Sequence, residues 1–173
     1  MSPVVDVDVS TVDACDSTNG VLLGRARAGS IAAPTVLRAL SQTAGRGRHG
    51  RAWRMEPGAS LAFSIAWPLR PDAGPPSALS LAVGTALADA LEPPERDTAP
   101  RIRLKWPNDL WLDGPRKLAG ILVEAAPGIA VVGIGLNVRP LASADPTIAA
   151  LDALDPEATP DGVFAALWPP LLE

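Results

Sequence analysis

Residues 101–138, "RIRLKWPNDLWLDGPRKLAGILVEAAPGIAVVGIGLNV", decide the fold class. Three segments rich in Ile, Val, Leu and Trp read as strands: Arg101 to Trp106 with its extension to Leu112, Leu118 to Ala125, and Ile129 to Val138. Asp113-Gly114 and Pro127-Gly128 are the turns between them, dipeptides of the kind that reverse a chain tightly. This half of the chain is therefore a set of hairpins. Toward the N-terminus, Leu61 to Trp67 reads as a core strand. A proline-rich turn and a helix from near Ser77 follow it, with Leu79, Val83, Leu87 and Leu91 on one face, and then a Pro93-Pro94 linker. Thr35 to Leu40 is a further strand, and the Val/Asp alternation of Val4 to Val9 has the period of a half-buried one. Between those two, Asp16-Ser17-Thr18-Asn19 offers N-cap side chains to a helix over Val21 to Ala28, which Gly29 ends. Gly162 to Pro170 is a last helix, cut by two prolines. Helices alternate with strands early but hairpins dominate later. The expected fold is α+β, with a mixed, largely antiparallel sheet and helices packed on it, rather than a doubly wound parallel sheet.

Composition narrows the setting. With 173 residues, 47% of them hydrophobic, the chain can bury one sizeable core, so residues 1–173 read as a single domain. Cys15 is the only cysteine, so no internal disulfide forms, and the first residues lack the pattern of a signal peptide. A reducing, cytoplasmic location follows as the expectation. No apolar run approaches the roughly 20 residues that span a bilayer. The net charge of −4 argues against general affinity for nucleic acid. That charge makes residues 41–53, "SQTAGRGRHGRAW", conspicuous, because Arg46, Arg48 and Arg51 stand there among three glycines.

Gly45-x-Gly47-x-x-Gly50 formally matches the dinucleotide-binding pattern, but that pattern must open a helix, whereas this segment runs into Pro57-Gly58 with no amphipathic stripe. A P-loop would need Lys and then Ser or Thr after its last glycine. What remains is a mobile, glycine-hinged flap that folds over a phosphate, with Arg46 and Arg48 giving paired hydrogen bonds and Trp53 covering a flat ring. Taken alone, the same residues also fit a solvated loop. The two lysines, Lys105 and Lys117, both fall within the hairpin segment, in a chain with 13 arginines, which hints at a site that needs a compact point charge. Asn108-Asp109 fits either a turn or a metal-bound phosphate.

Together "DSTN" (16–19), "GRGRHGRAW" (45–53), "KWPNDLWL" with "RKLAGILVE" (105–124) and "GIGLNV" (133–138) resemble the catalytic domain of biotin protein ligases, four motifs in the family's order. The resemblance implies that Mg-ATP and biotin are substrates, with no tightly bound prosthetic group. Biotin is activated as biotinyl-5'-AMP and passed to a lysine of a biotin carboxyl carrier protein. It also implies roles. Lys117 stabilises charge on the transferring phosphorus, and Arg46 and Arg48 close over the adenylate with Arg51 beside them. Ser17, Thr18, Asn19 and Gln42 hold the ureido end of biotin, and Gly45 and Gly120 line its pocket. Trp53 covers the adenine and Asn137 bonds its edge. Asn108 and Asp109 hold the Mg-triphosphate, Asp109 meeting Mg through the phosphate. His49 and Cys15 receive no role. Individually Ser17 or Thr18 would serve as a helix cap, Trp53 as core and Asn137 as a strand-end residue; their joint occurrence favours the site.

The resemblance also sets expectations about the ends and the partners. Nothing precedes the first strand, so no winged DNA-binding domain and no operator binding are expected. The small C-terminal β-barrel usual in the family is expected to be absent. No membrane association is expected, and homodimerisation stays open. Competing readings are a lipoate or octanoate ligase or transferase of the same fold, a non-catalytic biotin-binding short form, and an RNA-binding Gly-Arg segment, for which one basic loop on an acidic domain is a poor footprint.

Overall fold

The computed structural model describes residues 6–69, 78–92, 99–143 and 145–172. In chain order its elements are β1 (Asp8–Cys15), α1 (Thr18–Arg27), β2 (Thr35–Gln42), β3 (Ser60–Pro68), α2 (Leu79–Leu91), β4 (Ile102–Lys105), β5 (Asp109–Leu112), β6 (Arg116–Ala126), β7 (Ile129–Asn137) and α3 (Pro160–Leu167). Val4, Val5, Ser77 and the Pro93-Pro94 linker, on which parts of the sequence reading fall, lie outside the described residues. The strands form one sheet in the order β1-β2-β3-β7-β6-β5-β4. Among the described residues only β1 and β2 run parallel and every other neighbouring pair of strands is antiparallel, which is the mixed, largely antiparallel α+β sheet that the hairpins imply.

Two strand assignments change. The first strand is Asp8–Cys15, later than the alternating segment Val4 to Val9, and it is mostly exposed, with Val9 40% accessible. As an edge strand it is held by its ladder to β2, from Asp8 opposite Thr35 to Cys15 opposite Gln42, so alternating hydrophobicity is a poor guide to its limits. The run from Arg101 to Leu112 is two strands, because the chain reverses at Trp106-Pro107-Asn108 and pairs Ile102 with Leu112 and Lys105 with Asp109. Proline at that position has no N–H to give a ladder. The expected turns are present, with φ 50° at Asp113, 94° at Gly114 and 71° at Gly128.

Strand alternation divides the core between the two faces of the sheet. Leu61, Phe63 and Ile65 of β3 and Val132, Ile134 and Leu136 of β7 point to the face covered by α2 and α3. The α2 stripe Leu79, Val83, Leu87 and Leu91 packs there, as its spacing predicts. Its C-terminus is tied to β4 by Glu92, whose carboxylate accepts from the backbone N–H groups of Arg101 and Ile102. Helix α3 begins at a Thr159 cap and Pro160 and ends at Leu167, short of the expected Pro170. It is anchored by Phe164, which packs edge-on against Phe63 with centroids 5.4 Å apart, and by Arg38 of β2, which pairs with Asp161 and lies over the Phe164 ring. On the opposite face Leu22, Leu23 and Ala26 of α1 pack on Leu37, Ala66, Ile129 and Val131. Among the described residues no helix is long and apolar enough to cross a membrane.

Phe63 is fully buried and joins the central sheet to α3. Phe63→Ala is expected to cost about 3–5 kcal/mol, from lost burial and a cavity that the sheet cannot close. Urea unfolding followed by circular dichroism should show a lower midpoint with little change in slope.

Candidate active site

The site is made by missing side chains. On the α1 face of the sheet, Ala62 of β3, Gly135 of β7 and Gly120 of β6 lie in register across three strands. The neighbouring row is Ser64, Gly133 and Leu122. These rows lie where α1 begins, and apart from Leu122 they carry little bulk toward it. Two side chains use the room. A Cβ at Gly133 would overlap the carboxamide of Asn19, and one at Gly135 would overlap the indole of Trp53. One at Gly120 would come within 3.4 Å of that indole and 3.2 Å of the Lys117 side chain. Above this floor a cavity of about 290 Å³ remains. The Gly133-x-Gly135 spacing, visible in the sequence, is the signal of this floor.

One end of the cavity is lined by the start of α1. Ser17 caps the helix only loosely, its Oγ accepting from Gly20 N at 3.4 Å, so the hydroxyl hydrogen is left for another partner. Thr18 N–H donates to Gln42 Oε1 at 2.8 Å. Asn19 Oδ1 accepts from Ser64 Oγ at 2.6 Å, while Asn19 Nδ2 donates to Leu122 O and to Glu124 Oε2. Since the Ser64 proton is committed to Asn19, the proton between Thr18 Oγ1 and Ser64 Oγ, 2.6 Å apart, comes from Thr18, whose hydroxyl also has Gln42 Oε1 as a longer acceptor at 3.2 Å. Asn19 lines the cavity, yet both ends of its carboxamide are engaged within the protein.

The basic loop is a narrow ribbon. Gly47 N–H donates to Arg51 O, Trp53 N–H donates to Gly45 O, and Arg46 pairs with Ala52 across it. Its three glycines act differently from the uniform hinge that the sequence suggests. Gly45 is needed for space, because a Cβ there would lie 2.5 Å from the Trp53 carbonyl oxygen. Gly47 is extended, with φ −114° and ψ −176°, and only Gly50, at φ 73°, uses the left-handed region. The ribbon carries Arg46, Arg48 and Arg51 to the cavity wall and lays Trp53 on its floor.

Three cations of the site face acceptors. Lys117 Nζ lies 2.8 Å from Asp109 Oδ1, an ion pair whose angle falls short of a hydrogen bond, and 5.7 Å from the centre of the Trp53 ring. Arg48 donates to Asn108 Oδ1 at 3.2 Å and Arg46 to Glu124 Oε2 at 3.0 Å. The backbone of Lys117 is fixed from outside the sheet, its N–H donating to Thr147 O and its carbonyl accepting from Ala149 N. Asn137 is buried at the end of β7 and donates to that same carbonyl at 3.3 Å. Of the residues singled out in the sequence, Ser17, Thr18, Asn19, Gln42, Arg46, Arg48, Arg51, Trp53, Asn108, Asp109, Lys117 and Gly120 line this one cavity, and Gly45 and Asn137 stand behind it. Lys105 and His49 also line it, while Ser64 and Glu124 support it from outside the lining. Lys105 was visible as one of two lysines and Glu124 as the last residue of RKLAGILVE, without a role attached to it, but nothing local marks Ser64. Burial, with Asp16 adding to it, pushes the Cys15 thiol up and away from reactivity. No cluster of three or more His, Cys, Asp or Glu able to hold a metal occurs among the described residues.

The family described as the biotin/lipoate A/B protein ligase family matches residues 12–140. A biotin–[acetyl-CoA-carboxylase] ligase of Mycobacterium tuberculosis is 42% identical over 146 residues, covering 83% of this chain and 50% of the relative. The bifunctional ligase/repressor BirA of Escherichia coli is 42% identical over 137 residues, covering 75% of this chain and 40% of the relative. The chain thus spans half or less of the length of these curated relatives. A biotin protein ligase from Aquifex aeolicus, solved in complex with biotin and ATP, superposes with a TM-score of 0.78 at 27% identity, over 95% of this chain and 68% of that one.

Gly135→Ala tests the floor directly. The added methyl overlaps the indole, so Trp53 should leave the sheet. In fluorotryptophan-labelled protein, the fluorine resonance identified by its loss in Trp53→Phe should move to a solvent-exposed position. An unshifted line would mean that the indole does not rest on Gly135.

Proposed function

The chain belongs to the biotin/lipoate A/B protein ligase family, and from that membership we propose that it activates biotin with Mg-ATP and transfers it to protein. In the first step a biotin carboxylate oxygen attacks the α-phosphorus of ATP, the bond to the β-phosphate breaks, and biotinyl-5'-AMP and pyrophosphate form. In the second, a lysine amine of a biotin carboxyl carrier protein attacks the acyl carbon, an amide forms and AMP leaves. The observation that carries this reading is the single cavity in which hydroxyl donors, an ammonium, guanidinium groups and an aromatic face converge. Relatives 42% and 39% identical are named biotin–[acetyl-CoA-carboxylase] ligases, which favours biotin over lipoate or octanoate. A cytoplasmic location and a carboxylase carrier as partner go with the proposal. The repressor role in the name of the E. coli relative is not part of it.

Each side chain has a task in this chemistry. The free Ser17 hydroxyl suits the ureido carbonyl, and Thr18 beside it, steadied by Gln42, meets the same ring. Gly120 keeps the wall low, and Gly45 lets the ribbon close tightly enough to cover the ligand. Two anions must approach each other, so the Lys117 ammonium exchanges Asp109 for the developing charge on the α-phosphoryl group. Asn108 and Asp109 face the Mg-triphosphate. Arg46, Arg48 and Arg51 close over the adenylate and keep water from the mixed anhydride. The outer face of Trp53 offers a stacking surface for adenine.

Release of pyrophosphate that requires both biotin and ATP is the primary test. Release with lipoate or octanoate in place of biotin would favour the other branch of the family, and biotin binding without any release would mark a binding protein. Lys117→Arg keeps charge but replaces a point ammonium with a bulkier fork. It should slow adenylate formation about a hundredfold, or about 3 kcal/mol of transition-state stabilisation, in single-turnover experiments.

Arg48→Gly should spare phosphoryl transfer relative to retention of the intermediate, because Lys117 remains. The variant should release biotinyl-5'-AMP early, so that a bystander protein acquires more biotin per adenylate formed than with wild type. Equal labelling per adenylate would show that the ribbon does not retain the anhydride.

A further inference from the structure

Glu124 stands outside the cavity lining on β6, yet it joins the two ends of the site. One carboxylate oxygen, Oε2, accepts from Arg46 Nη2 of the ribbon and from Asn19 Nδ2 of α1, each at 3.0 Å. Asn19 is 3% exposed, and its other end accepts from Ser64, which in turn takes the Thr18 proton. The protons therefore all point one way: Arg46 and Asn19 toward Glu124, Ser64 toward Asn19, Thr18 toward Ser64. Reversing the Asn19 carboxamide would set its oxygen against both Glu124 and the Leu122 carbonyl, and its NH₂ against the Ser64 proton. The carboxylate thus fixes which way Asn19 faces, and through Ser64 it gives the Thr18 hydroxyl its shortest bond, at 2.6 Å against 3.2 Å to Gln42, and so biases what Thr18 presents to the cavity. The same oxygen supplies the ribbon with an anchor to β6, beside the Arg48 bond to Asn108 and the Trp53 indole on Gly135. Gly133 is the condition for this link, since any side chain there would displace the Asn19 carboxamide.

We propose that Glu124 is a positioning residue that couples the Arg46 ribbon to the Thr18 end of the cavity, so that order in the one and ligand affinity in the other stand or fall together. The proposal rests on the biotin-ligase reading for the identity of the ligand, but not for the link itself. Partly exposed ion pairs are individually weak; the Asn19 bond adds to this one because its donor is buried and it is directed at a charge.

The test uses Glu124→Gln, which keeps shape and removes the charge, with Ser64→Ala as its counterpart. Ser64→Ala cuts the chain at the floor without touching the ribbon. Two quantities are read on the unmodified full chain and both variants: the rate of trypsin cleavage after Arg46, Arg48 or Arg51, and the biotin Kd by calorimetry. Thermal melts identify any variant that has lost its fold; if Glu124→Gln is one, Glu124→Asp, which keeps the charge but shortens its reach, takes its place. Glu124→Gln should speed ribbon cleavage and weaken biotin binding, each about fivefold, whereas Ser64→Ala should weaken biotin binding alone. A residue of merely structural importance would lower the melting temperature without this split. Unchanged cleavage in Glu124→Gln would overturn the anchor, and faster cleavage with unchanged Kd would overturn the coupling. If the wild type fails to bind biotin, the substrate reading falls, and the cleavage ratio still decides whether Glu124 holds the ribbon.

Discussion

The absence of side chains at Gly133 and Gly135 is the constraint on which the rest of the site depends. These are central positions of β7, a strand buried on both faces, where a packed sheet would ordinarily carry Val or Ile. Leaving them empty on one face admits the Asn19 carboxamide and the Trp53 indole against the backbone. From those two placements follow the orientation of Thr18 through Ser64 and the seating of the ribbon that ends in Trp53. Only a sheet held firmly from behind can leave its front face open. The larger cluster around Leu61, Phe63, Ile134 and Leu136, under α2 and α3, supplies that support.

The same division of labour answers how an acidic protein keeps a concentrated group of cations. Arg46 faces Glu124, Arg48 faces Asn108, and Lys117 faces Asp109, so the positive charges are partly balanced before any ligand arrives. These pairs are exposed enough to be weak, and a phosphate can compete with them for the same donors. A cation locked in a fully buried pair would be far harder to redirect. Lys117 is held by its backbone rather than by its side chain: bonds from Thr147, Ala149 and Asn137 fix its peptide groups and leave the ammonium able to move.

Much was determined by the sequence alone. Short turns at Asp113-Gly114 and Pro127-Gly128 can connect only neighbouring antiparallel strands, so the hairpin half and the α+β class follow from local chemistry. The α2 stripe is equally local, because a 3.6-residue period specifies a face without reference to any partner. The residues of the site were legible as types, since hydroxyls, a lysine and clustered arginines carry their chemistry with them. Tertiary structure alone decided the rest. The limits of β1 depend on its ladder to β2, and the reversal at Pro107 depends on which strands are free to pair. Glycine in a sequence does not say whether it is needed for a turn or for space; Gly50 uses the left-handed region, Gly45 avoids a 2.5 Å overlap and Gly47 only a tight 3.3 Å contact, distinctions that exist only once neighbours do. The bridge that Asn19 makes between Ser64 and Glu124, the bond of Asn137 to the Lys117 carbonyl and the place of Glu124 beside the site share one physical reason. A hydrogen bond between residues 105 positions apart, such as Asn19 to Glu124, is created by the fold and leaves no local trace in the chain.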